Sequence, residues 1–170
     1  MNILKMSIMS AVLAVIFCAP VAAAKPECRQ INVKLSEFVI TPFVSANDPF
    51  GRAVLASQGS LNAVGTAVFT SPPVPGVTPG TLVTTTSHVF VESPADQLTT
   101  TGTAVFTFIP GSPNVYDVVT MTVTGGTGKY AGATGTLVAT GVGFNFLPAP
   151  SAANKTYYEF ILSGELCLVN

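Results

Sequence analysis

The sequence predicts an all-β protein, a single eight-stranded antiparallel β-barrel, on three observations. Beyond residue 24, apolar residues alternate with period two in run after run, and no segment repeats them at the i, i+3, i+4, i+7 spacing of a helix. Clusters of Gly, Pro, Asn and Asp separate the runs. Two cysteines, Cys28 and Cys167, stand at the extremities of this strand-rich region. Composition agrees: of 170 residues, 48% are hydrophobic and 9% charged, with Thr, Val and Gly abundant. Such a chain is too apolar for charge-driven disorder and too poor in charged helix formers for a helical bundle. The net charge of -1, with no basic run, offers no electrostatic footprint for nucleic acid or an anionic membrane surface.

Residues 1–24 read as a secretory signal. Lys5 supplies the positive start, Met6 to Ala19 is apolar apart from Ser7 and Ser10, and Pro20 ends it. Ala22, Ala23 and Ala24 then offer small residues for cleavage before Lys25. The apolar run is short of the roughly 20 residues a spanning helix needs. The expectation is a secreted or periplasmic barrel domain over residues 25–170 with no membrane span, the alternative being an uncleaved anchor. Cys18 leaves with the signal, and the remaining pair, Cys28 and Cys167, suits one disulfide in an oxidising compartment. Two cysteines and a distant His88 make a poor tetrahedral set, so no metal is expected.

The strands follow in order. Gln30 to Ile40 puts Ile31, Val33, Leu35 and Val39 on one face. Ala53 to Gln58 and Leu61 to Thr70 flank a turn at Gln58, Gly59 and Ser60. Residues 71–80 hold Pro72, Pro73, Pro75 and Pro79, which cannot sit in a central ladder, so they mark a loop. Thr81 to Glu92, Gln97 to Ile109 and Val115 to Thr124 are the next three runs. Gly125, Gly126, Thr127 and Gly128 turn the chain into Tyr130 to Phe146, and Thr156 to Val169 comes last. Short connections favour antiparallel neighbours. An open sheet of that size would expose unpaired edges, and closure removes them. Closure also brings Cys28, before the first strand, beside Cys167, near the end of the last. A β-sandwich of the same strands is the alternative.

The glycine-rich turn is no phosphate loop. Its glycine-to-lysine spacing is wrong, and Tyr130 stands where Ser or Thr would ligate magnesium. Instead, residues 121–135, with Gly125, Gly126, Thr127, Gly128 and Tyr130 between an apolar strand and a small-residue strand, resemble the turn of allene oxide cyclase barrel-like and dirigent-like proteins. The resemblance covers about fifteen residues. It implies an eight-stranded antiparallel barrel and, as activity, cofactor-free guidance of a cyclisation or isomerisation. It also makes an oligomer an expectation.

Candidate chemistry is sparse. His88 alternates with Thr84, Thr86 and Phe90, and no G-x-S-x-G accompanies it for a serine triad. Asp117 interrupts the alternation of Val115, Val119 and Met121, and Glu159 that of Tyr157 and Ile161. An inward carboxylate is costly unless paired or hydrated, and would mark a polar spot in a cavity. The other reading turns both faces outward. Arg52 is the cation in a strand context that could pair with such an acid. Asp117, Arg52 and Glu159 are therefore the catalytic candidates. Tyr116, Tyr130, Phe144 and Tyr158 are the aromatic candidates for lining a ligand site. A barrel of eight strands either fills with side chains or holds one small ligand. The expected partner is a small apolar molecule, and the functional alternatives are a lipocalin-type binding protein or a structural barrel with a filled core.

Overall fold

The computed structural model describes residues 25–42, 50–147 and 149–169. The signal expected at 1–24 lies outside the described residues. Among the described residues nine strands form: β1 (Glu27–Thr41), β2 (Arg52–Gly59), β3 (Ala63–Phe69), β4 (Val74–Pro75), β5 (Thr81–Val91), β6 (Gln97–Phe108), β7 (Val115–Thr127), β8 (Thr134–Phe144) and β9 (Tyr157–Leu168). Hydrogen bonding runs β3-β2-β1-β9-β8-β7-β6-β5, and β3 also pairs β5. That last pairing closes eight antiparallel strands into a barrel, as the alternation predicts. β4 lies outside the closed wall and, among the described residues, pairs only with β5. The proline-rich loop thus contributes a strand at the one kind of place proline tolerates, a sheet edge. Among the described residues no helix is long and apolar enough to cross a membrane.

Alternation sets which side chains enter the barrel. On β1, Ile31, Val33, Leu35, Glu37 and Val39 are buried while Asn32, Lys34, Phe38 and Ile40 are exposed. Phe90, Leu98, Phe106, Met121, Leu137 and Leu162 are buried completely on β5 to β9. Phe106 packs against Phe69, Phe146 and Tyr158, with ring centroids 6.1, 4.8 and 6.3 Å away. Burying such rings supplies most of the driving force, roughly 1.5–3 kcal/mol for each large apolar side chain.

The turn falls later than the sequence predicts. β7 continues through Gly125 and Gly126, and a bulge opposite Thr99 and Thr100 absorbs one extra residue. A single 3-10 turn, Gly128–Tyr130, follows, and β8 starts only at Thr134. The turn is tied to the β5–β6 hairpin. Thr127 Oγ1 donates to the Ala95 carbonyl (2.7 Å), the Lys129 N–H donates to Asp96 Oδ1 (3.0 Å), and Lys129 Nζ pairs with Glu92. The Lys129 N–H and then the Ser93 hydroxyl hold the Asp96 carboxyl below the usual carboxylate range.

These contacts leave no room for side chains at two glycines. Gly128 has φ +56°, and a Cβ there would lie 2.6 Å from the Ala95 carbonyl oxygen. A Cβ on Gly126 would overlap the Gln97 carbonyl and lie 2.8 Å from Tyr130 Cβ. Gly126→Val and Gly128→Val should each cost roughly 1–3 kcal/mol, the scale of local backbone strain. Thermal unfolding checks this; variants that melt like the wild type would remove the architectural role.

Cys28 and Cys167 face each other directly across the β1–β9 ladder. Their sulfurs lie at bonding distance, 1.98 Å, so the pair can close a disulfide. The Cα atoms of these cross-strand partners stand 3.8 Å apart.

Candidate ligand site on the inner barrel wall

Four ionisable or hydroxylic side chains meet inside the barrel. Glu37 comes from β1, His88 from β5, Asp117 from β7 and Tyr158 from β9, each at most 5% exposed. Register explains how they meet. Glu37 faces Tyr158 across β1–β9, while Asp117 faces Phe106 on one side and Gly141 on the other. His88 is separated from β1 by β3 and β2, whose inward residues at that level are Ala67 and Ala53. These small side chains leave the lumen open enough for Glu37 to reach across, placing its Oε1 3.4 Å from His88 Nε2. The imidazole also stacks on Phe90, 6.1 Å between centroids.

Electrostatics follow from this enclosure. Burial pushes the Asp117 carboxyl well above the usual carboxylate range. The Glu37 charge adds to that rise, and a hydrogen bond from the Val118 N–H opposes it. Burial thus favours the neutral form of the Asp117 carboxyl. Burial, then the charges of Asp117 and Glu37, likewise raise the Tyr158 hydroxyl well above its ordinary value. Both O–H groups are thus favoured in their protonated forms, next to Glu37 and its imidazole partner.

The cluster is not self-satisfied. Thr86 Oγ1, His88 Nδ1, Thr100 Oγ1, Asp117 Oδ1 and Tyr158 OH are buried and have no hydrogen-bond partner among the described residues. One such atom costs about 1–3 kcal/mol if nothing meets it. Five on facing strands mark a polar patch suited to a hydrogen-bonding guest.

The residues singled out from sequence separate cleanly. Asp117 and Tyr158 are on the inner wall. Glu159 and Tyr116 are exposed on the outer wall, and Arg52 opens β2 half-buried, out of step with the inward Ala53, Leu55 and Ser57. Phe144 stacks on Tyr157 (4.7 Å), and Tyr157 on Phe38 (5.9 Å), forming an aromatic ladder on the outside. Tyr130 is buried in the Gly128–Tyr130 turn, with Lys129 Nζ 5.2 Å from its ring centroid. The structure therefore brings together Asp117 and Tyr158 but neither Arg52 nor Glu159. Glu37 is the group the sequence reading passed over. Its signal was present, since it occupies the inward position between Leu35 and Val39.

A groove of about 500 Å³, lined by Lys34, Ser36, Val142, Phe144, Glu159 and Ile161 among others, lies on the outer wall and does not reach the polar cluster. Cys28, Glu165 and Cys167 are the group among the described residues with metal-like proximity. Both sulfurs there are at bonding distance from each other, so they are not free to ligate. Compared with known proteins, the chain matches no protein-family model, no curated protein and no solved structure.

Proposed function

We propose that this is an exported barrel that receives a small oxygenated molecule on its inner wall, with Asp117, Tyr158, His88 and Glu37 as the polar contacts. The carrying observation is the set of five buried polar atoms without partners on β5, β6, β7 and β9. The likeness of residues 121–135 to allene oxide cyclase-like and dirigent-like barrels supports the same reading, and with it guidance of a cyclisation or isomerisation. Such guidance needs no cofactor: a rigid apolar cavity fixes one conformer, and hydrogen-bond donors stabilise developing charge. A second reading, a filled structural barrel, draws on the complete burial of Phe90, Phe106 and Tyr158 in the lumen.

Titration with 2-naphthol, followed by its own fluorescence, separates the two. Saturable binding to one site per barrel is expected. It should weaken in Asp117→Asn and persist in Tyr116→Phe, whose side chain points outward. No saturable binding would leave the filled barrel.

A further inference from the structure

Resting on the inner-wall site just described, we propose that its guest is a small ketone or enone. Its carbonyl oxygen is received by the Asp117 carboxyl and the Tyr158 hydroxyl, and an α-proton is taken by the Glu37 carboxylate. Geometry carries the assignment. Asp117 Oδ1 and Tyr158 OH are the buried, unpartnered atoms on β7 and β9, and Glu37 is the cross-strand partner of Tyr158. The third side of the set is His88, whose Nε2 lies 3.4 Å from the Glu37 carboxylate and can hold it in place. His88 is thus a positioning residue.

The protonation states suit this division of labour. Burial, then the Glu37 charge, favours the protonated form of Asp117; burial, then the charges of Asp117 and Glu37, favours that of Tyr158. A carboxylic acid held neutral by an apolar site can donate where a carboxylate could only repel, so with the Tyr158 hydroxyl it forms a pair of donors that stabilises an enolate beside Glu37. A guest whose negative charge lay away from the two donors would meet Glu37 and is disfavoured. A hydrocarbon guest would leave every donor unmet.

The step balances without a cofactor. The α-C–H bond breaks, its electron pair becomes the new C=C bond, and the carbonyl π pair moves onto oxygen, where the two O–H groups hold it. The Glu37 carboxyl carries the proton. Once that carboxyl has traded its proton with water, delivery to the α-carbon is exchange with solvent; delivery to the γ-carbon of a β,γ-enone is isomerisation. Nothing is oxidised or reduced.

Two measurements test this. Nitrobenzene and 4-nitrophenol differ by one hydroxyl, and the ionised phenol mimics the enolate oxygen and reports its state by absorbance. 4-Nitrophenol should bind about tenfold or more tightly than nitrobenzene, the scale of one hydrogen bond to a charged group. Tyr158→Phe keeps the ring stacked on Phe160, so it should fold and yet erase most of that preference. In the second measurement, 3-cyclohexen-1-one in heavy water should take up deuterium in the presence of the protein. Glu37→Gln should abolish the uptake, while the outward Glu159→Gln leaves it at the wild-type rate. Equal binding of the two nitroarenes, or exchange that survives Glu37→Gln, overturns the carbonyl assignment while leaving a binding barrel. If 2-naphthol and both nitroarenes fail to bind, the inner-wall site itself falls.

Discussion

Replacing both Cys28 and Cys167 by Ala should lower the unfolding free energy by about 5 kcal/mol at most, the loop-closure value for a link of this size. The two residues are 139 apart in sequence, so the bond closes a loop nearly as long as the described chain. Residual compactness in the denatured chain would reduce the figure. Little else is lost with the pair, because Cys28 is exposed and Cys167 sits at the margin of the core. The effect therefore reports the link itself. β1 and β9 are the strands most distant in sequence that pair, and the bond links them at one end of their ladder. Domains of this kind are stable by about 5–15 kcal/mol, so the double variant should sit near the edge of folding at physiological temperature. Urea unfolding of the wild type with and without reductant should reproduce the difference. Labelling of the denatured, unreduced barrel domain should find no thiol; two labels per chain would show that the clamp is open.

The fold was legible because period-two alternation needs only neighbours in sequence. Ile31, Val33 and Leu35 declare an inward face, and the positions skipped between them declare an outward one. The same rule was ambiguous on β9. There Tyr157 and Ile161 are as apolar as Tyr158, Phe160 and Leu162, so Glu159 looked as well placed as Asp117 to enter the barrel. Only the pairing register with β1 and β8 decides it. Val74 and Pro75 escaped notice for a related reason: proline argues against a central ladder, and their edge pairing with β5 lies outside the closed wall. The turn was displaced because Gly125 and Gly126 were read by their conformational freedom, whereas a bulge on β7 keeps them in the ladder. The site was the least legible part. Glu37, His88, Asp117 and Tyr158 come from four strands, and their meeting depends on Ala53 and Ala67 being small on two strands that separate β1 from β5. No local pattern encodes such a lumen crossing. It follows from closure.

Asp117 should make the barrel less stable as pH rises, and Asp117→Asn should remove that dependence. The sign follows from linkage. A carboxyl whose folded value is raised contributes stability that is fully present below its ordinary value of 3.8 and is lost as pH rises toward the folded value. The unfolded chain releases the proton in this window, while the folded barrel holds it. One such proton changes the unfolding free energy by at most about 1.4 kcal/mol per pH unit. The groups around Asp117 sharpen the expectation. Glu37 disfavours a second negative charge, Tyr158 stays neutral, and the Glu37–His88 pair holds its own imidazole partner, leaving the Val118 N–H as the contact that favours ionisation. Asn has the same shape and no titration, so the two proteins should be closest in stability at acid pH. Above it the variant should gain, by an amount that grows with pH until the folded carboxyl ionises. Urea midpoints measured from pH 4 to pH 8 on both proteins would show the curves diverging. Parallel curves would mean that Asp117 is ionised in the folded barrel. In that case it could not donate to a carbonyl oxygen, and the enolate assignment would fail together with the pH dependence.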